Sequence, residues 1–251
     1  MTPKTSRTGS DWPSIRTAGL DGFLISFGDR LSEPANRAAL AFRAAIESAD
    51  PDGVLETSTS LVSTYLRFDL QGLDHPRMHT ILQDLLNSRD WYTAPLPQGR
   101  RLWRVPTVYG TSLAPQLEEA AAVAGLSVDA AIASISRSRV RVQTIGFAPG
   151  QPYLGELPSD WDIPRQTVLT KQVPMGALTV AIRQLVLFSV SAPTGWRHIG
   201  QTALRLFRPD EPEPFVLRPG DEVVFQPTTA DALENMARTG SDGGASFEAL
   251  P

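Results

Sequence analysis

The chain has 251 residues, a formal net charge of −4 and no cysteine. Without cysteine it can form no disulfide, thiolate metal site or cysteine nucleophile, and its slight negative charge does not attract nucleic acid over the whole surface. The first residues lack the apolar segment of a signal peptide, and the apolar stretches are too short to span a bilayer. These features predict a cytoplasmic protein that binds neither nucleic acid nor membrane.

Residues 19–104 predict a first domain, preceded by a flexible tail over residues 1–18. A strand at 23–27 is followed by a helix that Ser32 caps and the sequence DPDG at 50–53 ends. Further predicted elements are strands at 54–56 and 62–70, a helix capped by Asp74, and a strand at 101–106. The order β-α-β-β-α-β predicts a ferredoxin-like α+β domain.

Residues 105–229 predict a second, mainly β domain. Two helices, one ending at Gly125 and one capped by Ser127, precede a series of short strands. The predicted strands lie near residues 140–144, 178–182, 186–190, 203–207 and 222–226. Short strands separated by Gly/Pro turns are typical of a closed or nearly closed barrel. After Thr229 the alternation ends, so residues 230–251 predict a second flexible tail.

Five motifs occur in order along the second half of the chain. They are IGFAPGQPYL at 145–154, PR at 164–165, VPMG at 173–176, PTGW with IGQT at 193–202, and LRPGD at 217–221 followed by Phe225. Together they resemble the family of the 5-oxoprolinase B subunit, allophanate hydrolase subunit 1 and KipI, which carries the carboxyltransferase subdomains C and D. The resemblance covers residues 19–228.

The resemblance implies an N-terminal α+β domain and a C-terminal cyclophilin-like β-barrel. It also implies a complex with a sister cyclophilin-like subunit, similar to the 5-oxoprolinase C subunit, and a small-molecule ligand. The chain has no P-loop and no dinucleotide-binding glycine motif. We therefore expect it to bind no cofactor itself, with ATP entering the reaction through a partner subunit.

The chain departs from the family pattern at polar positions. Gln151 stands where the family has a second phenylalanine, Ile135 where it has a histidine, and Gln201 where it has an arginine. Leu185, Val186 and Phe188 replace a threonine, a glycine and a tyrosine. Because these changes remove hydroxyl, imidazole and guanidinium groups, we expect a more apolar cleft than in the family.

The predicted site lies where the rim loops 146–153 and 192–200 meet near Gln184. The candidate catalytic residues are Gln184 as a hydrogen-bonding anchor, His198 as an acid or base, and Arg165 as a counter-charge. Loop backbone N–H groups could also cradle an anion. The predicted substrate-binding residues are Gly146, Phe147, Gly150, Gln151, Tyr153, Arg183, Gln184, Phe188, Trp196 and Gln201.

No metal site is predicted. His75 and His79 share one helix face, but the pattern offers no third ligand. Three functions are compatible with the sequence. The first is a subunit of an ATP-dependent 5-oxoprolinase- or allophanate-hydrolase-like complex acting on a lactam or urea-derived amide. The second is a stand-alone isomerase or cyclase for a bulky apolar metabolite. The third is a KipI-like, non-enzymatic inhibitor of a histidine kinase.

Overall fold

The computed structural model describes residues 12–250, which form two compact units divided between Leu96 and Pro97. The sequence placed this boundary after residue 104. It falls earlier because the strand Arg101–Tyr109 pairs with Glu222–Pro227 and so belongs to the sheet of the second unit. We describe each unit separately, as the first unit (12–96) and the second unit (97–250).

The first unit packs two helices on a four-stranded antiparallel sheet. Its elements are β1 (Ser14–Thr17), β2 (Gly22–Ser26), α1 (Glu33–Ala49), β3 (Val54–Ser60), β4 (Ser63–Phe68) and α2 (His75–Asn87). Ser32 accepts a hydrogen bond from the backbone of Ala35, and Asp74 accepts one from the backbone of Arg77, so both predicted N-caps are present. The apolar stripes of α1 and α2 join the core.

The sheet order β1-β2-β4-β3 is that of a ferredoxin-like sheet, with one difference in connectivity. The strand beside β2 is β1, which precedes it in the chain, whereas the sequence assigned that place to residues 101–106. Four consecutive residues of β1 pair with β2. The prediction that residues up to 18 form a tail is therefore wrong for Ser14–Thr17, and residues 1–11 lie outside the described part.

The second unit contains a closed seven-stranded barrel. Its elements are β5 (Arg101–Tyr109), α3 (Leu117–Val123), α4 (Val128–Arg137), β6 (Val140–Ile145), β7 (Pro152–Gly155), β8 (Thr170–Val173), β9 (Ala177–Ala181), β10 (Gln184–Leu187), β11 (Ala192–Thr194), β12 (Arg197–Gln201), β13 (Glu222–Pro227), α5 (Ala230–Thr239) and β14 (Ser246–Ala249). Around the barrel the order is β5-β12-β9-β10-β7-β6-β13, and β13 returns to β5 in the barrel's parallel pair. The fold class predicted from the sequence, an α+β domain followed by a barrel, is confirmed.

Three short strands of the second unit lie outside the barrel. The strands β8 and β11 pair with each other as a separate ribbon, with Ala192 opposite Val173 and Thr194 opposite Thr170. The strand β14 pairs with residues 101–104 of β5, and β12 pairs with residues 108 and 109 of the same strand.

The predicted C-terminal tail is structured as far as residue 250. Thr229 caps α5 through a hydrogen bond from the backbone of Ala232. In β14, the ring of Phe247 lies 4.6 Å from that of Trp103. Aromatic packing and backbone pairing to β5 therefore hold a segment whose composition alone favours disorder. Residue 251 lies outside the described part.

Among residues 12–250, no single helix is both long and apolar enough to cross a membrane, and the one helix pair with sufficient length and composition, α3 with α4, is bent by 90°.

Candidate functional site

A groove of about 280 Å³ opens on the second unit between the two predicted rim loops. One wall comes from the loop that leads into β7, and the other comes from β11 and the turn after it. The lining residues are Phe147, Gln151, Tyr153, Arg165, Gln166, Leu169, Val186, Phe188, Pro193, Thr194, Gly195 and Trp196. Residues of both predicted rim loops, 146–153 and 192–200, thus border this groove, but Gln184, near which the site was predicted, does not line it.

The floor of the groove is built on the outer face of β10. Side chains of a strand alternate between its two faces, and here Leu185 and Leu187 join the barrel core. Val186 and Phe188 point the other way and form a separate apolar cluster with Trp196. The alternation of side chains along β10 therefore fills the barrel core on one face and supplies the apolar floor of the groove on the other.

The loop 146–151 is held by its own backbone. Gly146 donates its N–H to the carbonyl of Gln151 at 3.0 Å, and Gln151 donates to the carbonyl of Ala148 at 3.1 Å. Gly150 has a φ of +71°, and a Cβ there would lie 2.9 Å from the carbonyl oxygen of Leu206. These two N–H groups are engaged, so they do not form the predicted anion cradle.

The side chain of Gln151 is buried at the groove, with 1% of the residue exposed. Its Oε1 has no hydrogen-bond partner among residues 12–250. A buried amide oxygen without a partner is uncommon in folded proteins, because losing its hydrogen bonds to water is unfavourable. Gln151 therefore places an unsatisfied polar group at an otherwise apolar floor.

Arg165 and two aromatic rings form the opposite side of the groove. The guanidinium carbon of Arg165 lies 5.3 Å from the centroid of the Trp196 ring, within cation–π range. The ring of Tyr153 meets that of Trp196 edge-on at 6.2 Å. Within the described part of the chain Arg165 is in no ion pair. The groove thus carries an exposed, unneutralised cation.

A pair of glutamines fixes the wall that carries Trp196. Gln116 donates to Oε1 of Gln166 at 2.7 Å, and Gln166 donates to the carbonyl of Trp196 at 3.1 Å. The backbone of Gln166 also donates to the carbonyl of Gly195 at 2.7 Å. Because these bonds are made within the protein, the groove is pre-formed rather than assembled by a ligand.

A model for the carboxyltransferase domain, subdomains C and D, matches residues 13–217. The chain belongs to this family. It is 31% identical to the 5-oxoprolinase B subunit of Bacillus subtilis (strain 168) over 219 residues, which are 84% of this chain and 91% of that protein. It is 39% identical to the 5-oxoprolinase B subunit of Escherichia coli O157:H7 over 127 residues, 51% of this chain and 58% of that protein. The family resemblance predicted from the motifs is confirmed.

Solved structures show the same fold. The crystal structure of TTHA0988 superposes with a TM-score of 0.69 at 32% identity, covering 86% of this chain and 40% of that one. This chain therefore spans less than half of the length of TTHA0988. The urea amidolyase of K. lactis superposes with a TM-score of 0.68 at 15% identity over 94% of this chain and 16% of that one, which shows a shared fold alone.

Six of the predicted site residues of this family member line the groove. They are Phe147, Gln151, Tyr153, Arg165, Phe188 and Trp196. The predicted site residues do not include six other lining residues, Gln166, Leu169, Val186, Pro193, Thr194 and Gly195. Two signals were available: Val186 is two residues from Phe188 on the same strand face, and Gln166 follows the PR motif.

Gln184 and Arg183 do not line the groove. Gln184 is buried and donates from Nε2 to Oε1 of Gln143 at 2.8 Å, so its amide is used inside the protein. Arg183 has a φ of +60° in the turn between β9 and β10. It donates to the carbonyl of Leu157 at 3.0 Å and pairs with Glu156 at 3.2 Å. Both residues stabilise the turn and its neighbours rather than the site.

His198 and Gln201 are also outside the groove. His198 is buried on β12, where its backbone N–H donates to Oε1 of Gln116 at 2.9 Å. Burial lowers the pKa of His198, so the neutral imidazole is favoured. Gln201 donates to the carbonyls of Met175 and Thr202, both at 2.9 Å. The interpretation of His198 as an acid or base of the groove is therefore wrong. Gly146 and Gly150 shape the rim without lining it.

The departures from the family pattern divide into two groups. Ile135 and Leu185 are completely buried in the barrel core, and Gln201 bonds backbone carbonyls outside the groove, so these three changes leave the groove untouched. Val186, Phe188 and Gln151 do line it. The expected increase in apolar character holds for Val186 and Phe188, while Gln151 adds a polar group at the same floor.

The helix-face histidines lie in the first unit and pack against aromatic rings. The ring of His75 lies 5.4 Å from that of Phe23 and 5.1 Å from that of Phe68, and His79 lies 6.1 Å from Phe23. Across residues 12–250, no three His, Asp or Glu side chains are grouped in a way that could hold a metal ion.

Proposed function

We propose that this chain is the B-type subunit of a 5-oxoprolinase-like complex that hydrolyses a small cyclic amide with ATP. The observation that carries the proposal is the 31% identity to the 5-oxoprolinase B subunit of Bacillus subtilis, which extends over 91% of that protein. A match of this extent includes both units and the barrel, so it supports a shared role and not only a shared fold.

The groove supports a small anionic substrate. Its volume of about 280 Å³ is at the lower end of the range for small-molecule sites. Arg165 offers a charge that a carboxylate can neutralise, and Tyr153 and Trp196 supply aromatic lining for a small ring. This combination favours a small ring that carries a carboxylate over the bulky apolar metabolite that the sequence also allowed.

The remaining chemistry belongs, in this proposal, to partner subunits. The one histidine of the second unit, His198, is buried away from the groove, and no carboxylate side chain of the described residues lines it. Such a site binds and orients a substrate but offers no evident general base. We assign activation by ATP and transfer of the proton to a sister cyclophilin-like subunit and its associated chains.

The test is co-expression of this chain with the sister chains of a 5-oxoprolinase complex, followed by purification through a tag on this chain. We expect a stable complex that releases glutamate from 5-oxoproline only when ATP is present. The matched control replaces Arg165 by alanine, which should leave the complex intact and raise KM. Failure of the chain to join any sister subunit, together with no ATP-dependent release of glutamate, would refute the proposal.

A second function is favoured by the rim of the groove. Phe147 is 72% exposed and Leu169 is 61% exposed, and both border the same opening. Adjacent exposed apolar side chains are typical of protein-binding surfaces. A KipI-like inhibitor would use this rim on a histidine kinase. Addition of the chain to a purified kinase, with autophosphorylation as the readout, separates this function from catalysis: inhibition supports it, and unchanged autophosphorylation rejects it.

A further inference from the structure

The carboxamide of Gln151 carries a buried oxygen that the described residues leave without a hydrogen bond. It lies at the groove with 1% of the residue exposed, and its Oε1 accepts no hydrogen bond from any described residue. The backbone of the same residue is fixed by two hydrogen bonds within the loop. The main chain therefore holds the amide in place while its oxygen remains unsatisfied.

Four other glutamines of the second unit, Gln116, Gln143, Gln166 and Gln184, have their amides bonded within the fold. Gln184 bonds Gln143, while Gln116 bonds both Gln166 and the backbone of His198. In these cases the amide is used within the fold, whereas Gln201, outside the groove, also has a buried Oε1 that accepts no hydrogen bond from residues 12–250. An amide that is buried at a groove without such a partner is suited to a partner supplied by a ligand.

Arg165 is the second unmatched polar group of the groove. Its guanidinium lies over the ring of Trp196, and the backbone of Trp196 is fixed by the bond from Gln166 to its carbonyl. Stacking restricts the guanidinium and leaves its N–H donors free for a carboxylate. The groove therefore combines an unsatisfied amide oxygen and an unpaired cation with an apolar floor that includes Val186 and Phe188.

We propose that Gln151 and Arg165 are the specificity-determining pair of the groove. In this proposal the Oε1 of Gln151 accepts the N–H of a cyclic amide, and the guanidinium of Arg165 binds a carboxylate on the same small ring. The choice of a lactam acid rests on the proposed function, whereas the roles of the two residues rest on the geometry of the groove.

If Gln151 serves binding, its replacement should affect stability differently from the replacement of a residue that serves only folding. Replacing Gln151 by methionine keeps the length of the side chain and removes an unsatisfied buried amide, so the melting temperature should stay the same or rise. Binding should weaken in the same variant. A residue needed only for folding would lower the melting temperature when it is replaced.

The experiment measures binding to the full-length chain without ATP or partners, by isothermal titration and ligand-observed NMR. The probes are 5-oxoproline, its N-methyl derivative, which lacks the donor, and 2-pyrrolidinone, which lacks the carboxylate. The variants are Gln151→Met and Arg165→Ala. The control is Gln172→Met, because Gln172 is an exposed glutamine of β8 that bonds Ser191 and does not line the groove.

We expect the unmodified chain and the Gln172→Met variant to bind 5-oxoproline at least tenfold more tightly than either analogue. Gln151→Met should remove the preference over the N-methyl derivative, and Arg165→Ala should remove the preference over 2-pyrrolidinone. The proposal is overturned if Gln151→Met keeps the tenfold preference, or if the unmodified chain binds the three probes equally or not at all. Turnover by the complex is a separate readout. The chain can discriminate among the three probes without turnover by the complex, and the complex can turn over 5-oxoproline without this discrimination.

Discussion

Removal of the carboxylate of Asp221 should strongly destabilise the second unit. Only 2% of this side chain is exposed, and it accepts from three donors of Arg101, the backbone N–H at 3.0 Å, Nε at 3.3 Å and Nη2 at 2.5 Å. A fourth bond comes from the backbone of Arg218 at 3.1 Å. Breaking a buried ion pair by deleting one partner costs about 3–5 kcal/mol. Arg101 keeps a bond to the carbonyl of Val216 at 2.8 Å, so we expect the lower part of that range.

The assay is urea unfolding at neutral pH, followed by circular dichroism, of Asp221→Ala beside Glu213→Ala. Glu213 is also an acidic partner of an arginine, bonding Arg218 at 2.7 Å, but its side chain is 75% exposed. Exposed pairs contribute at most about 1 kcal/mol. We expect a loss of about 3 kcal/mol in the free energy of unfolding for Asp221→Ala and a loss below about 1 kcal/mol for the control. Equal losses for the two variants would refute this account of the Asp221 motif.

Three further variants test the barrel and its buried polar groups. Gly176→Ala should destabilise the protein more than Gly125→Ala, as measured by thermal unfolding. Both glycines have a positive φ, but of the two only Gly176 is so placed that an added Cβ would collide with backbone, namely the carbonyl oxygen of Thr202. Burial lowers the pKa of His198 below its ordinary value of 6.5, so on acidification the unfolded chain takes up this proton before the folded chain does. The free energy of unfolding should therefore fall as the pH drops below about 6.5. His198→Asn should flatten that fall, measured by urea unfolding at several pH values. Tyr109→Phe should cost about 1 kcal/mol, because it leaves the carbonyl that this hydroxyl bonds at 2.9 Å without a donor.

A different result would contradict each of these three expectations. Equal losses at Gly176 and Gly125 would mean that the close backbone approach is relieved elsewhere. An unchanged pH profile in the His198 variant would assign the acid sensitivity to other groups. A Tyr109→Phe variant as stable as the parent would mean that the buried carbonyl finds another donor.

The local elements and the order of motifs could be predicted from the sequence because they depend on near neighbours. Both first-unit helix caps, at Ser32 and Asp74, are local hydrogen bonds and were predicted correctly. The sequence did not predict that Arg101–Tyr109 belongs to the sheet of the second unit, because this depends on pairing with Glu222–Pro227, far along the chain. The C-terminal strand escaped prediction for the same reason, since Phe247 is ordered by Trp103.

The site could be predicted to the level of its loops but not of every side chain. Motif spacing placed both rim loops correctly, because each motif positions a turn of the barrel. The assignment of Gln184 failed because a single residue cannot reveal that Gln143 lies opposite it and uses its amide. The assignment of His198 failed because residues 197–201, taken from the sequence as part of a rim loop, form the strand β12, in which His198 is buried.

The central claim, that the groove between the two rim loops binds the ligand, is tested most directly by chemical-shift mapping. The ¹⁵N-labelled chain would be titrated with 5-oxoproline and its amide and indole N–H signals followed. We predict saturable shifts at the backbone of Gln151, Tyr153 and Gly195 and at the indole of Trp196. Shifts confined to residues 12–96, or an unchanged spectrum at every concentration, would contradict the claim.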